Sequence, residues 1–199
     1  SKRILHDAEE RELFYDAGAA LIMGIDVARF GTDESVIFYR QGRDARSRQM
    51  LTFKKLSTTQ LVDIIAIEIN KHKPDAVVIE GTGVGAGVID QLRARGFKII
   101  EVHPGAHSNQ PLHYYRKRDE LWALARNWLF EEGCILKDDE LFKQLTGILY
   151  TFDKDEQRIK MESKEAYGER TKEGSPDRAD AFILTFGVKL ARRDKNKDY

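Results

Sequence analysis

The sequence carries a single cysteine, Cys134, among its 199 residues. An internal disulfide is therefore impossible, and the chain suits a reducing compartment. No Cys/His pattern stands at zinc-binding spacing, which argues against a zinc module. No apolar run approaches the roughly 20 residues that cross a bilayer, and the start lacks the apolar stretch of a secretory signal. A membrane protein is not expected. Charge of one sign is also missing: Lys and Arg total 33, and Asp and Glu total 33. Nucleic-acid binding would then need a local basic face, with acids gathered elsewhere, for example in a metal site. No G-x-x-x-x-G-K-[ST] motif occurs, so a P-loop ATPase is excluded by that route. Internal repeats and low-complexity segments are absent too.

What remains describes a globular protein with a heavily charged surface, 41% hydrophobic and 33% charged. The length fits one well-cored domain. The reading places that domain at residues 20–191. Residues 1–19 read as a charged lead-in or linker, and 192–199 as a charged, frayed tail. Because the first residue is Ser1, the expectation is a domain taken from a longer chain.

Three strands are expected first, at about 20–27, 35–40 and 49–55. They are separated by Phe30-Gly31-Thr32-Asp33 and Gln41-Gly42-Arg43-Asp44, short enough for an antiparallel meander. Ser57-Thr58-Thr59 caps a helix carrying Leu61, Ile64, Ile65 and Ile69 at helical spacing and ending before Pro74. The run Ala76-Val77-Val78-Ile79-Glu80 follows, and the intervening crossover makes it parallel to an earlier strand, most simply the first. A glycine-rich turn, a helix to about Arg95, a strand from Phe97 to Val102 and a polar loop from His103 to His113 come next. A long amphipathic helix is expected at about 116–131, then a helix capped by Asp138-Asp139 through Leu145, and a hairpin pairing 148–153 with 158–163. Residues 164–174 read as a charged loop. Ser175 as N-cap and Pro176 as first helical residue open a last helix to about Ala191.

Asp26 ends the first apolar run, Leu21-Ile22-Met23-Gly24-Ile25-Asp26, and Glu80 ends the second buried one. If those strands are parallel neighbours, the two carboxylates share one sheet edge, where open α/β sheets bind ligands. Buried acids that converge repel one another until a cation neutralises them. Hard oxygen donors favour Mg²⁺ or Mn²⁺, and an ion pair about 3.5–4 Å apart can assist phosphodiester hydrolysis. The bland alternative is that each acid merely terminates a strand. Asp177 opens the last helix, where an acid is ordinarily a dipole stabiliser. Asp180 lies three residues on, on nearly the same helix face, and could be the ligand instead. Asp33 sits in the first turn and could approach the same ions, although turn aspartates are common for local reasons.

The element order and these acids resemble the ribonuclease H-like fold and, more narrowly, the nuclease domain of the large terminase subunit of tailed phages. The resembling residues are Gly24-Ile25-Asp26-Val27-Ala28 with Gly31-Thr32-Asp33-Glu34-Ser35, Val78-Ile79-Glu80-Gly81-Thr82-Gly83, Tyr115-Arg116-Lys117-Arg118-Asp119-Glu120-Leu121, Glu162-Ser163-Lys164 and Ser175-Pro176-Asp177-Arg178-Ala179-Asp180-Ala181. The resemblance runs from about residue 20 to 190. It implies a mixed five-stranded core sheet flanked by helices, with an extra β-hairpin. It further implies a metal-dependent endonuclease cutting double-stranded concatemeric DNA, with Asp26, Glu80 and Asp177 holding two Mg²⁺ or Mn²⁺ ions. Asp180 and Asp33 would be auxiliary acids, and Lys164 a position near the site. An N-terminal packaging ATPase, a small terminase subunit and a portal are the implied partners, in the cytoplasm of an infected bacterium.

Rival readings stay open at this stage. Gly81-Thr82-Gly83-Val84-Gly85-Ala86 formally satisfies the dinucleotide fingerprint, with Glu101 standing 20 residues after Gly81 (101 − 81 = 20). Against it, Rossmann units usually begin with the glycine-bearing strand, and the fingerprint leaves Asp26 and Asp177 unexplained. An actin-like or sugar-kinase-like ATPase normally duplicates this strand order. A catalytically silent DNA- or protein-binding module is the non-enzymatic alternative. Arg116 and Arg118, near Tyr114 and Tyr115, are candidate DNA contacts, as is Lys164. His103, His107 and His113 lack the spacing of a helical metal pair, and Trp122 and Trp128 read as helix packing.

Overall fold

The structure, a computed structural model, describes residues 1–28, 33–153 and 157–192. In chain order the elements are α1 (Lys2–Glu10), β1 (Leu21–Asp26), β2 (Ser35–Gln41), β3 (Asp44–Ala45), β4 (Leu51–Phe53), α2 (Thr58–His72), β5 (Ala76–Glu80), α3 (Val84–Ala94), β6 (Ile100–Val102), α4 (Lys117–Glu131), β7 (Cys134–Ile135), α5 (Asp139–Gly147), β8 (Tyr150–Phe152), β9 (Ile159–Met161), α6 (Lys164–Thr171) and α7 (Asp177–Leu184).

β1 is buried along its whole length, as a strand covered on both faces must be. It pairs antiparallel with β2, Asp26 opposite Val36, and parallel with β5, Ile25 opposite Ile79. The capped helix α2 makes the crossover: Ser57 Oγ accepts from the Gln60 amide while Gln60 Oε1 accepts from the Ser57 amide. β6 continues the parallel side with Val102 opposite Glu80.

The mixed sheet has seven strands in the order β6-β5-β1-β2-β3-β7, with β4 also pairing with β2. The expectation of five is corrected by β3 and β7. These two-residue strands pair with each other, Asp44 opposite Cys134, and are too short to show a period in the sequence. The expected meander is also modified, because β3 and β4 both return to β2. The hairpin forms a separate sheet, Tyr150 opposite Met161.

Alternation along the strands divides the core. Ile22, Val36, Phe38 and Val78 face α1, α4 and α7, with Trp122, Trp128 and Phe182 among the packing partners. Met23, Ile25, Ile37 and Ile79 face α2 and α3. Both tryptophans are thus core residues. Gly24 is where α7 crosses β1 most closely: a Cβ there would lie 2.3 Å from the Ala181 carbonyl oxygen.

Three segment expectations change. Residues 2–10, read as lead-in, form a helix that buries Leu5 and Ala8 against the core. Residues 164–171, read as loop, form α6, capped by Ser163 and anchored by the buried Tyr167. The last helix is shorter than expected and has Pro176, not Ser175, at its N-cap. After Leu184 the amides of Thr185, Phe186 and Gly187 bond three residues back, and the α-helix ends there. The predicted turn at 30–33 in its residues 30–32, the predicted connection at 154–157 in its residues 154–156, and residues 193–199 of the predicted tail lie outside the described residues.

Candidate metal centre

The parallel register of β1 and β5 brings Asp26 and Glu80 to one sheet edge, as the sequence predicts. α7 runs across β1 on the same face and delivers Asp180, and α6 delivers Lys164. The Lys164 ammonium stands among all three acids: 3.3 Å from Asp26 Oδ2, 3.5 Å from Glu80 Oε2 and 3.0 Å from Asp180 Oδ2. Asp26 and Asp180 are nearly inaccessible, at 5% and 2% exposure.

Electrostatics follow from that burial. The Asp26 carboxyl is raised to about 7, chiefly because burial disfavours its charge. Lys164 pulls it down, and Asp180, Glu80 and Asp177 push it up. Burial opposes the charge on Lys164, yet the three carboxylates outweigh it and hold the ammonium well above its ordinary range.

Asp177 makes no ion pair with Lys164, and one of its oxygens is engaged elsewhere, although its charge is still felt by Asp26. Asp177 Oδ2 accepts from the Glu34 amide at 2.7 Å. Burial raises it to about 6, opposed by that amide and by Ser175, while Asp33 adds repulsion. Asp33 stands near enough to Asp177 to add that repulsion, and a Cβ on Gly174 would lie 3.6 Å from its Oδ1. Next along α7, Arg178 joins Glu34 and Asp138, fixing the helix start against β2 and α5.

Arg118 is not a surface contact. Its guanidinium is largely buried, with Nη1 donating to the Glu162 carbonyl at 2.6 Å and Nη2 lying 3.5 Å from Asp180 Oδ1. Arg116, by contrast, is exposed and lies over the Tyr115 ring. The sequence reading does not single out two further groups as site residues: the Thr82 hydroxyl, which donates to Glu80 Oε1, and the Asp119 carboxylate, which accepts from the Arg116 and Met161 amides. The acid three residues after Arg116 was the one available signal for the latter.

Among the described residues no three His, Cys, Asp or Glu side chains stand in ready-made metal-holding geometry. The donor chemistry nevertheless fits a hard divalent ion. All the donors are carboxylate oxygens, and neither Asp180 oxygen makes a well-formed hydrogen bond despite complete burial. Asp26, Glu80 and Asp180, whose carboxylates meet at Lys164, are the candidates to hold one.

The dinucleotide reading meets steric and electrostatic objections. A Cβ at Gly85 would lie 1.9 Å from the Glu80 carbonyl oxygen, and one at Gly81 would lie 2.3 Å from Glu101 Oε1. These glycines are required by internal packing. Glu101, the acid such a reading needs, is engaged by Arg93 and His103.

No protein-family model matches the sequence, and no curated protein does either. Solved structures do match. The nuclease domain of the large terminase subunit gp2 of bacterial virus Sf6 is 16% identical, with a TM-score of 0.78 over 96% of this chain and 98% of that one. A lysine-to-alanine mutant of gp2 with calcium gives a TM-score of 0.80 at 17% identity, covering 95% of this chain and 98% of that one. The large terminase nuclease of thermophilic phage G20c with bound magnesium gives 0.66 at 16% identity, covering 87% and 83%. At these identities the likeness is one of fold, and the chain folds as the nuclease domains of phage large terminase subunits do.

Proposed function

We propose that this chain is the metal-dependent endonuclease domain of a viral DNA-packaging terminase large subunit, hydrolysing phosphodiester bonds of double-stranded concatemeric DNA. The observation that carries this reading is the convergence of Asp26, Glu80 and Asp180 on the single ammonium of Lys164. Two buried acids and the half-buried Glu80 around one cation form a site built for positive charge. The fold likeness to metal-bound terminase nucleases supports the same reading.

In this proposal Asp26, Glu80 and Asp180 hold two Mg²⁺ or Mn²⁺ ions, with Asp177 and Asp33 as supporting acids. The sequence reading ranked Asp177 above Asp180; the Lys164 contacts favour the reverse order. Bound there, the ions would supply Lewis-acid activation and neutralise charge developing on the phosphodiester. The protein's part is to pre-organise the acids. β1 and β5 fix Asp26 and Glu80, Thr82 restrains the Glu80 carboxylate, and Arg118 orients Asp180. Lys164 limits the mutual repulsion of the acids. The partners in this proposal are an N-terminal packaging ATPase on the same longer chain, the small terminase subunit and the portal, within the host cytoplasm.

Supercoiled-plasmid nicking with Mn²⁺, Mg²⁺ or EDTA tests the reading. Cutting is expected only with the ions and is abolished by Asp26→Ala or Glu80→Ala in folded protein. Robust cutting by both variants would refute the assignment.

A further inference from the structure

Away from the acid cluster, three cations gather on one aromatic ring. Arg116 Cζ lies 5.2 Å, Arg158 Cζ 5.0 Å and Lys160 Nζ 5.0 Å from the Tyr115 ring centroid. The charges come from two separate stretches of chain that are tied together firmly. The Tyr115 amide donates to the Ile159 carbonyl, and the Ile159 amide donates to the His113 carbonyl. The buried Asp119 carboxylate accepts from both the Arg116 and Met161 amides, at 2.7 and 2.8 Å. Arg158 is paired with Asp153. Arg116 and Lys160 are exposed and have no ion-pair partner among the described residues.

One ring attracts cations to its faces; Asp153 answers the charge of Arg158, which leaves Arg116 and Lys160 as two like charges that repel one another. A fixed cluster of this kind is completed by an external anion. Because the ring is already approached by three cations, a nucleobase would have to displace one to stack on it, whereas a phosphate oxygen can reach Arg116 and Lys160 directly. The location adds direction. Lys160 is four residues before Lys164, so at ~3.3–3.6 Å per residue the two lie no more than ~14 Å apart along the chain.

We propose that Arg116 and Lys160, gathered on the Tyr115 ring beside the Asp153-paired Arg158, form a phosphodiester-backbone cradle, which grips DNA independently of base sequence on the segment of chain that leads to Lys164. The inference rests on the nuclease reading and adds to it the surface along which the strand approaches. Asp119 is a positioning residue, since it sets the spacing between the two cation-bearing segments.

The test is fluorescence anisotropy of the full chain in EDTA with short labelled duplexes of two unrelated sequences across a KCl series. Arg116→Gln with Lys160→Gln should raise Kd about tenfold for both duplexes and lower the salt slope by about two, one per lost phosphate contact. Arg116→Lys with Lys160→Arg should retain binding. The single substitutions, each checked by thermal melting, keep the test decisive if the double variant misfolds. An unchanged slope overturns the inference, as does a loss confined to poly-glutamate binding, which would assign the cradle to an acidic protein. Nicking by the unsubstituted chain separates the two readings. If it nicks while the double variant binds normally, the cradle alone falls. If it does not nick but duplex binding depends on Arg116 and Lys160, the cradle stands and the nuclease reading falls.

Discussion

Lys164 Nζ stands 3.0 Å from Asp180 Oδ2, and the same ammonium reaches Asp26 and Glu80, which lie 138 and 84 residues away in sequence. One cation therefore balances acids from two strands and a helix. Replacing Lys164 with Ala leaves those acids without their shared counter-charge. Breaking a buried ion pair costs about 3–5 kcal/mol, and Lys164's 29% side-chain exposure discounts this to roughly 2–3 kcal/mol. Thermal melting in EDTA should fall accordingly, and Mn²⁺ should restore more stability to the variant than to the unsubstituted chain. Equal melting temperatures in EDTA would show that the lysine carries little of the balance.

Asp177 and Asp180 share one short helix but face different partners. Asp180 meets Lys164 and Arg118, whereas Asp177 accepts from the Glu34 amide. Asp180→Asn should abolish plasmid nicking, while Asp177→Asn should keep measurable activity, reduced by about 10–100-fold as expected for a supporting group around a metal ligand. Initial nicking rates with Mn²⁺ decide the matter, and the opposite ranking would return Asp177 to the ligand set.

Gly24 has no room for a methyl group. Its added Cβ would lie 2.3 Å from the Ala181 carbonyl oxygen and 2.9 Å from Thr185 Cγ2. The backbone of α7 would have to move off β1, which carries Asp26 two residues later. Overpacking typically costs about 1–3 kcal/mol, and a backbone clash lies at the upper end. Gly24→Ala should lower the melting temperature by roughly 6–12 °C and lose nicking activity. Unchanged melting would mean that α7 is held less tightly than this packing implies.

Much of the framework was legible in the sequence for local reasons. The β1 and β5 runs each end in an acid, Ser57 and Gln60 form a reciprocal cap, and the crossover between them dictates parallel pairing. From these, Asp26 and Glu80 follow as neighbours. The missed parts depend on tertiary contacts. The strands β3 and β7 are two residues each, α6 rests on one buried tyrosine and a serine cap, and α1 gains its place only by packing on the core. The order of Asp177 and Asp180 depends on how α7 is rotated against β1, which a three-residue spacing does not reveal. The Arg118 guanidinium points inward because Glu162 and Asp180 lie there, and nothing within its own segment signals this.

Asp26 gives the cluster a pH dependence with a definite sign. Burial, followed by the neighbouring acids and opposed by Lys164, raises its carboxyl from 3.8 to about 7. An acid whose folded pKa exceeds its unfolded value stabilises the fold fully below the unfolded value. That contribution is lost as pH rises through the folded one. In EDTA, stability from this group should therefore decline between about pH 4 and 7. Asp177, raised to about 6, contributes in the same direction. Asp26→Asn cannot ionise, so the difference between its melting curve and that of the unsubstituted chain isolates the Asp26 contribution. The variant should gain on the unsubstituted chain as pH rises through that window and be the more stable of the two near pH 8. Added Mn²⁺ should reverse the trend, because ions bind the ionised carboxylates and stabilise more strongly as pH rises. Parallel stability profiles for the two proteins in EDTA would show that Asp26 is already ionised at low pH and that Lys164 offsets its burial completely.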